Sequence, residues 1–505
     1  MDVGTLLRFG YFPKEVPPPF NTAAFADYLE ASPGLQPEPT PGRKALITRP
    51  AVHNLARPSG ERRPLHIPNP FSYYLLGLLI EKGWTRFDKH FGRSSYSTSR
   101  PVADPSHSRA VKRQTEGKDL AIRRTEIRGR SRYILRTDIS RFYGSIYTHS
   151  IPWALDGKTK AKKSRKGGLA NDMDKAVRNL QDGQTLGIPV GPDGSLVIAE
   201  LVGCSIDREL QRRRLSGLRF MDDYEIGFLS RSEAEAGLAV VEEVLAEFEL
   251  AINPRKTSIL RLPIELDRRW ANEIQTYPFN EDQVTASDLI DYFNRVFELK
   301  STYPSDGVIS YAVARLRSID VSDPEVLQNL ICQCALAEPG AMEAVVTLMQ
   351  EKVEGEFSEA IDNLIRSIIS FHAPLSHGSE VAWALWAAVW FGRPIPSKVA
   401  KNLKGNRDPV VAVLSLYAKE QGLIKRDVSF AEWFAMDDTS LYDSHWLTAY
   451  EADRRGWLPG HKAKYVDADP NFSNLKAANV SFFDPELAAP TRSLLWQAAM
   501  AELYE

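Results

Sequence analysis

Cysteine is scarce: Cys204, Cys332 and Cys334 are the only three in 505 residues. Three thiols so spread give no disulfide framework and suit a reducing cytoplasm. Cys332-Gln333-Cys334 has the spacing of half a metal site, but no matching Cys/His pair follows and its setting is an apolar helix, so it reads as core packing. Long apolar runs are missing as well. The longest, Val381 to Phe391, is too short to span a bilayer, and Met1-Asp2-Val3-Gly4 opens no charged-then-apolar leader, so no membrane insertion is expected. Net charge is nearly absent at -2, but this hides a split. Residues 1–265 hold 41 Lys and Arg against 31 Asp and Glu, and the remainder 22 against 34. A polyanionic partner therefore belongs on the first half. Hydrophobic content of 43% and charged content of 25% are ordinary for a globular chain, here of two to four domains.

What is present is organised around Leu218-Arg219-Phe220-Met221-Asp222-Asp223-Tyr224-Glu225-Ile226-Gly227. Strand-forming residues flank two adjacent carboxylates, which reads as a β-hairpin with the aspartates at its turn. Two close carboxylates repel each other unless a divalent cation sits between them, and oxygen ligands suit Mg²⁺ or Mn²⁺. The chain contains its own control. Phe434-Ala435-Met436-Asp437-Asp438 repeats Phe-x-Met-Asp-Asp without a following strand run, and reads as a helix end or turn with solvated acids.

The first copy has company. Tyr133-Ile134-Leu135-Arg136-Thr137-Asp138 is an apolar strand ending in a carboxylate, followed by Ile139-Ser140-Arg141-Phe142-Tyr143. A third carboxylate on a neighbouring strand is what a two-metal phosphoryl-transfer site needs, with ions about 4 Å apart. Between the two lies Gly187-Ile188-Pro189-Val190-Gly191-Pro192-Asp193-Gly194-Ser195, a Gly/Pro loop opening a helix, where Gly187, Pro189 and Gly191 let backbone approach a base pair or phosphate. Further on stands Asn253-Pro254-Arg255-Lys256-Thr257.

Strand-Asp, then Gly-x-Pro-x-Gly before a helix, then Phe-x-Asp-Asp, resembles the ordered motif set of reverse transcriptases. The resemblance implies an α+β, right-hand fingers–palm fold. Asp138, Asp222 and Asp223 would be the catalytic carboxylates, holding Mg²⁺ (or Mn²⁺) together with the main-chain carbonyl of Ile139. Tyr143 would be the aromatic beneath the nucleotide sugar, excluding a 2′-hydroxyl. Lys256 would donate a proton to departing pyrophosphate. Arg62 and Arg63 would contact the triphosphate. Between Arg109 and Arg178 there are 19 Lys and Arg against seven acids, suiting a phosphate-contacting fingers region. The run Lys158 to Lys166, with six basic residues in nine, is either a solvated loop or a strand-binding face. His149 reads as structural. Val190 departs from the family, where a glutamine is common at this position; valine cannot hydrogen-bond a template.

Gly10-Tyr11-Phe12-Pro13-Lys14-Glu15-Val16-Pro17-Pro18-Pro19-Phe20 cannot be helix interior and reads as an extended strap docked by its aromatics. It is similar to the opening of abortive-infection reverse transcriptases of bacteria, as is Ser145-Ile146-Tyr147-Thr148-His149-Ser150-Ile151-Pro152-Trp153-Ala154. Beyond residue 265 helical patterns recur near 287–300, 324–336, 340–352, 357–371, 379–391 and 408–421. The expected organisation is strap and fingers over 1–130, palm over 131–265, and an all-α, HEAT-like helical-repeat domain over 266–505 in place of a thumb, with an aromatic tail packed on the repeats. The resemblance implies dNTPs as substrates, DNA as product, a homo-oligomer, and a role in anti-phage defence. It leaves open whether synthesis is untemplated and protein-primed or copies a non-coding RNA. An RNA-binding scaffold with an idle palm and a metal nuclease are the rival classes; only a polymerase consumes dNTPs.

Overall fold

The central strand of the palm is built from Tyr133-Ile134-Leu135-Arg136-Thr137-Asp138, whose Ile134 and Leu135 are fully buried. The computed structural model describes all residues except 116–117, 165, 280–282, 353–358, 431–432, 434–435, 458–463 and 487–505. Among the described residues, β1 (Ala51–Ala56) and β2 (Arg62–Ile67) form one antiparallel hairpin, and β3 (Pro101–Ala103) and β4 (Val111–Arg113) a second. A four-stranded antiparallel sheet joins β5 (Tyr133–Asp138), β6 (Gly217–Phe220), β7 (Asp223–Phe228) and β8 (Ser258–Arg261) in the order β6-β7-β5-β8. The pleat sends alternate side chains to opposite faces. Tyr224 points to the helix Asp193–Arg212, donating to Asp207 at 3.0 Å. Glu225 points the other way, to Arg124 and Arg128 on the helix Lys118–Arg128.

The helix after β2 runs from Pro70 to Phe91. Gly83 does not end it, because the Phe87 ring fills the space a side chain would need; a Cβ at residue 83 would lie 2.2 Å from that ring. Asn69 caps its start, accepting from Phe71 and Ser72.

Beyond the palm, Ala286–Thr302, Pro324–Ala337 and Glu359–His372 stack as one layer of helices. Val308–Arg315, Met342–Lys352, Gly378–Trp390 and Pro409–Glu420 form the other. Cys332 and Cys334 are buried in this array, and burial pushes both thiols up to about 12. No helix of the described residues is long and apolar enough to cross a membrane.

The array does not simply trail behind the palm. It returns to the β1–β2 hairpin. Asp408 accepts from His53 Nδ1 at 2.9 Å and from the Asn54 amide at 3.0 Å, and Ser379 Oγ accepts from the Ala56 amide. The strap lies in the seam. Tyr11 stacks on Tyr73, Phe12 on Phe482, and Trp383 Nε1 donates to the Glu15 carbonyl. Phe20 pairs with Phe483. The aromatic tail thus packs on the strap as well as on the array.

Candidate active site

The hairpin turn between β6 and β7 holds only Met221 and Asp222, since Phe220 pairs with Asp223. Met221 takes a φ of 56°, in the left-handed region, as a tight II′-type turn requires of its first central residue. A side chain there costs on the order of 1 kcal/mol, so the turn must be held from outside. It is: the Met221 amide donates to Ser99 Oγ at 2.9 Å, and Arg219 Nη1 donates to its carbonyl at 2.8 Å. Arg219 is itself wholly buried and hydrogen-bonds Glu200 and Asp207 through distances of 2.7 to 3.1 Å. Burial pushes both carboxyls up and Arg219 pulls both down; Glu200 ends low and Asp207 high.

Register brings the third carboxylate in. Asp138, last on β5, stands opposite Asp223, first on β7. The Ile139 amide donates to the Asp222 carbonyl at 3.0 Å, so in this extended backbone the Ile139 carbonyl faces the same edge. Carboxylate oxygens of Asp138, Asp222 and Asp223 all lie within 4.8 Å of one another. Asp138 is 4% exposed and is held by Asn253, whose Nδ2 donates to Oδ1 at 3.1 Å, and by Lys256, whose Nζ donates to Oδ2 at 2.7 Å. Asp223 opens on the cleft, yet its walls desolvate it. Burial first, then the charges of Asp222 and Asp138, push it up to about 7. Burial and Asp138 also raise Asp222, against the pull of Lys256 and Arg63. Burial opposes the Lys256 ammonium, but its bond to Asp138 and the charges of Asp223 and Asp222 raise it overall. Three converging carboxylates facing one lysine leave negative charge uncompensated. Hard oxygen donors so crowded fit a divalent cation of the Mg²⁺ type.

Tyr143 and the Gly/Pro loop are tied together: the Ile188 amide donates to the Tyr143 carbonyl at 2.8 Å. Burial, with the Asp222 charge, pushes the Tyr143 hydroxyl up. Gly187 has a φ of 85° with the Gly144 carbonyl 3.2 Å from where a Cβ would stand. Gly191, at φ 118°, is covered by the strap; a Cβ there would lie 2.6 Å from Pro13 Cγ. Pro189 lies between them, ahead of Val190, whose backbone pairs twice with His66 of β2: His66 N to Val190 O at 2.8 Å and Val190 N to His66 Nδ1 at 3.0 Å. Asp193, at the start of the following helix, accepts from Arg109 Nε, Ala110 N and Val111 N at 3.0 to 3.1 Å.

The neighbours on β2 part company. Arg62 donates to both oxygens of Glu380, at 2.5 and 2.9 Å, and to Asn54; its guanidinium faces the helical array and not the carboxylates. Arg62, expected at the triphosphate, is thus engaged by Glu380 in this structure, since alternation along the strand sends adjacent side chains to opposite faces. Arg63 acts on Asp222 and Tyr143. Arg57, which the motif reading passed over, is crowded there too: burial and Arg63 lower its guanidinium, and Asp222 and Asp138 offset part of that. Arg113 sits 5.2 Å from the Phe220 ring centroid and acts on Tyr143. Asn253 was inside a quoted motif but was not singled out. The proximity of Arg57 and Arg113 depends on how two separate hairpins fold over the palm, and no local pattern signals it. For Arg219 there was a signal: a charged residue at an inward-facing strand position.

Asp437 is elsewhere, capping the short helix Asp438–Leu441 through Thr439 and Ser440 amides; Phe434 and Ala435 lie outside the described residues. His149 pairs with Asp174 at 2.8 Å. Lys158–Lys163 is helical, with Lys158 Nζ 4.4 Å from the Trp153 ring centroid. A cleft of about 1210 Å³ opens from Phe220, Asp223 and Lys256 toward Trp270, Tyr303 and Tyr311, with Arg124, Arg136, Arg268 and Arg315 on its walls.

A four-stranded antiparallel palm with three converging aspartates, a Gly/Pro loop and arginines on the fingers side defines a nucleotidyltransferase of the polymerase class. The reverse transcriptase (RNA-dependent DNA polymerase) family profile matches residues 92–285, so the chain carries a reverse transcriptase domain and is an enzyme of the DNA polymerase type. No curated protein matches the chain.

Proposed function

We propose that the protein polymerises dNTPs as a bacterial defence reverse transcriptase of the abortive-infection or unknown-group class, without an external template and from a hydroxyl of the protein itself. The carrying observation is the triad of Asp138, Asp222 and Asp223, with Asp223 raised to about 7 by burial and its two neighbours. Asp138, Asp222 and the Ile139 carbonyl would hold Mg²⁺, with Asp223 in support. When bound, the ion neutralises phosphate charge and favours the alkoxide form of the attacking hydroxyl. The protein's own groups do the rest. Arg63, with Arg57 and Arg113, receives the triphosphate in place of Arg62. Tyr143 walls the sugar against a 2′-hydroxyl. Gly187, Pro189 and Gly191 shape the floor beneath the base. The hydroxyl oxygen bonds to the α-phosphorus as the bond to the bridging oxygen breaks, and Lys256 protonates the departing pyrophosphate.

Two features favour the untemplated reading. Val190 has no side-chain donor or acceptor, and both its backbone groups pair with His66. The strap, resembling that of abortive-infection enzymes, covers Gly191. The two-layer helical array is read as HEAT-like, standing where other polymerases carry a thumb, and supports assembly into a homo-oligomer. Synthesis on a dedicated non-coding RNA is the alternative, favoured by the arginines on the walls of the 1210 Å³ cleft.

The test is incubation of the protein with Mg²⁺ and labelled dNTPs, without template or primer, beside Asp222→Ala and Asp437→Ala. Label that stays with the protein until proteolysis, is lost in Asp222→Ala and persists in Asp437→Ala, is expected. Label appearing only when RNA is added overturns untemplated synthesis. Equal loss in both variants overturns the assigned site.

A further inference from the structure

Away from the palm, the turn joining the helices Glu359–His372 and Gly378–Trp390 gathers three ligand-type side chains: His372, His377 and Glu380. His372 Nδ1 and His377 Nδ1 are 2.9 Å apart, and each is 3.7 Å from the same oxygen, Glu380 Oε1. A triangle with sides of 2.9, 3.7 and 3.7 Å has one in-plane point equidistant from its corners, about 2.0 Å from each. Zinc bonds imidazole nitrogen at about 2.0–2.1 Å and carboxylate oxygen at about 2.0–2.2 Å. We propose that His372, His377 and Glu380 form a site for a zinc-class transition-metal ion, separate from the proposed catalytic carboxylates, that fixes the turn between the two array helices and, through Glu380, its ion-pair partner Arg62 of β2.

Hydrogen bonding alone accounts poorly for this arrangement. One proton can lie between the two nitrogens, but at 3.7 Å neither reaches the glutamate as a hydrogen-bond donor. Three lone-pair-bearing atoms converge on a common point instead. The outer partners of a ligand set are also in place. Arg62 Nη1 and Nη2 hold Glu380 Oε1 and Oε2, at 2.5 and 2.9 Å, and Ser379 Oγ donates to Oε2 at 2.8 Å. These fix the carboxylate so that Oε1 faces the imidazoles. Two nitrogens and one oxygen leave a fourth tetrahedral position for water, reached past the half-buried His377.

The residues bound in this cluster bridge two distant parts of the chain. Arg62 is on β2, beside Arg63, while the three ligands belong to the array. An ion here stiffens the platform from which Arg63 faces the palm.

The experiment uses the full chain, purified without a histidine tag and stripped with a chelator, then titrated with Zn²⁺ and with Co²⁺. One Zn²⁺ per chain is expected, retained in Asp222→Asn, and Co²⁺ should give the visible absorption bands of a four-coordinate N/O site. His377→Ala, at a half-buried turn position that folding tolerates, should weaken Zn²⁺ binding by at least the roughly 10- to 100-fold that losing even a supporting partner costs. Mg²⁺-dependent nucleotide incorporation by His377→Ala at 25 °C should persist, while Zn²⁺ should raise the Tm of the parent protein and not of the variant. Equal Zn²⁺ affinity in parent and His377→Ala, or no stoichiometric Zn²⁺ and no cobalt bands in the parent, would overturn the site.

Discussion

Asp223 titrates far from the ordinary carboxylate range, and the direction of that shift has a consequence for stability. Its folded value is raised from 3.8 to about 7, by burial and by the charges of Asp222 and Asp138. A raised folded value means that the folded state holds the proton more tightly than the unfolded chain. The stability this contributes is complete below 3.8, declines as pH rises toward about 7, and is gone above it. Without divalent ions, Tm should therefore fall as pH is raised through this window. Mg²⁺ should restore more of it at pH 8 than at pH 5, and Asp223→Asn should flatten the dependence. Thermal melts across pH with and without Mg²⁺ decide it; a flat profile for the parent protein would show that the three carboxylates are not coupled. In the role proposed for Tyr143, the ring rather than the buried hydroxyl would form the wall. Tyr143→Ala should admit ribonucleotides, raising rNTP use relative to dNTP by about tenfold or more, the worth of roughly 1.4 kcal/mol of lost steric rejection. Unchanged dNTP preference in competition assays would remove Tyr143 from that role.

The Asp222-Asp223 hairpin is an element under tension, held by a buried ion cluster. Arg219 joins Met221, Glu200 and Asp207, with Ser97 donating to Glu200, Ser94 to Asp207 and Tyr224 to Asp207. Arg219→Met keeps volume but leaves two carboxylates buried without their cation. It should destabilise the domain by about 3–5 kcal/mol, read from chemical denaturation. Incorporation at a temperature where the variant remains folded should also fall, since the Met221 carbonyl loses its tether. Arg219→Lys should recover part of the stability and less of the activity, because a point charge cannot span three acceptors in a fork. Equal activity of Arg219→Met and the parent, measured below both transitions, would mean that the turn holds itself.

At the scale of the molecule, the polymerase half and the helical array are joined by buried polar contacts on an aromatic seam. Asp408 serves His53, the Asn54 amide and, as a helix cap, the amides of Val410 and Val411. Asp408→Ala strands several buried donors at once and should cost about 3 kcal/mol or more. If the halves unfold together, one cooperative transition should shift. If the array stands alone, calorimetry should resolve two transitions, of which only one moves. The strap gives the seam a functional side: Tyr11 and Phe12 anchor it, while Pro13 lies over Gly191 of the loop that floors the site.

Local pattern in the sequence set β5, the Asp222-Asp223 hairpin and the longer helices of the array, whereas the strands β1 to β4 and β8 were not legible in it. A short apolar run ending in a carboxylate made β5, two residues between strand runs made the turn, and Gly187 and Gly191 marked positions of positive φ. It also separated Asp222-Asp223 from Asp437-Asp438, since only the first pair sits between strand runs. The short helix Val308–Arg315 escaped, having only eight residues in which to show a period. Which charges meet is settled by tertiary packing. Arg62 and Arg63 are equivalent as sequence, but the pleat of β2 sends one to Glu380 and leaves the other near Asp222. His53 and Asp408 are 355 positions apart, and Arg57 of the β1–β2 turn acts on Asp222 and Asp138 while Arg113 of β4 acts on Tyr143. Local pattern records the conformation of a segment and the face it buries. Which buried faces touch is fixed by packing of the whole chain, where the pairing of any one charge depends on all the others.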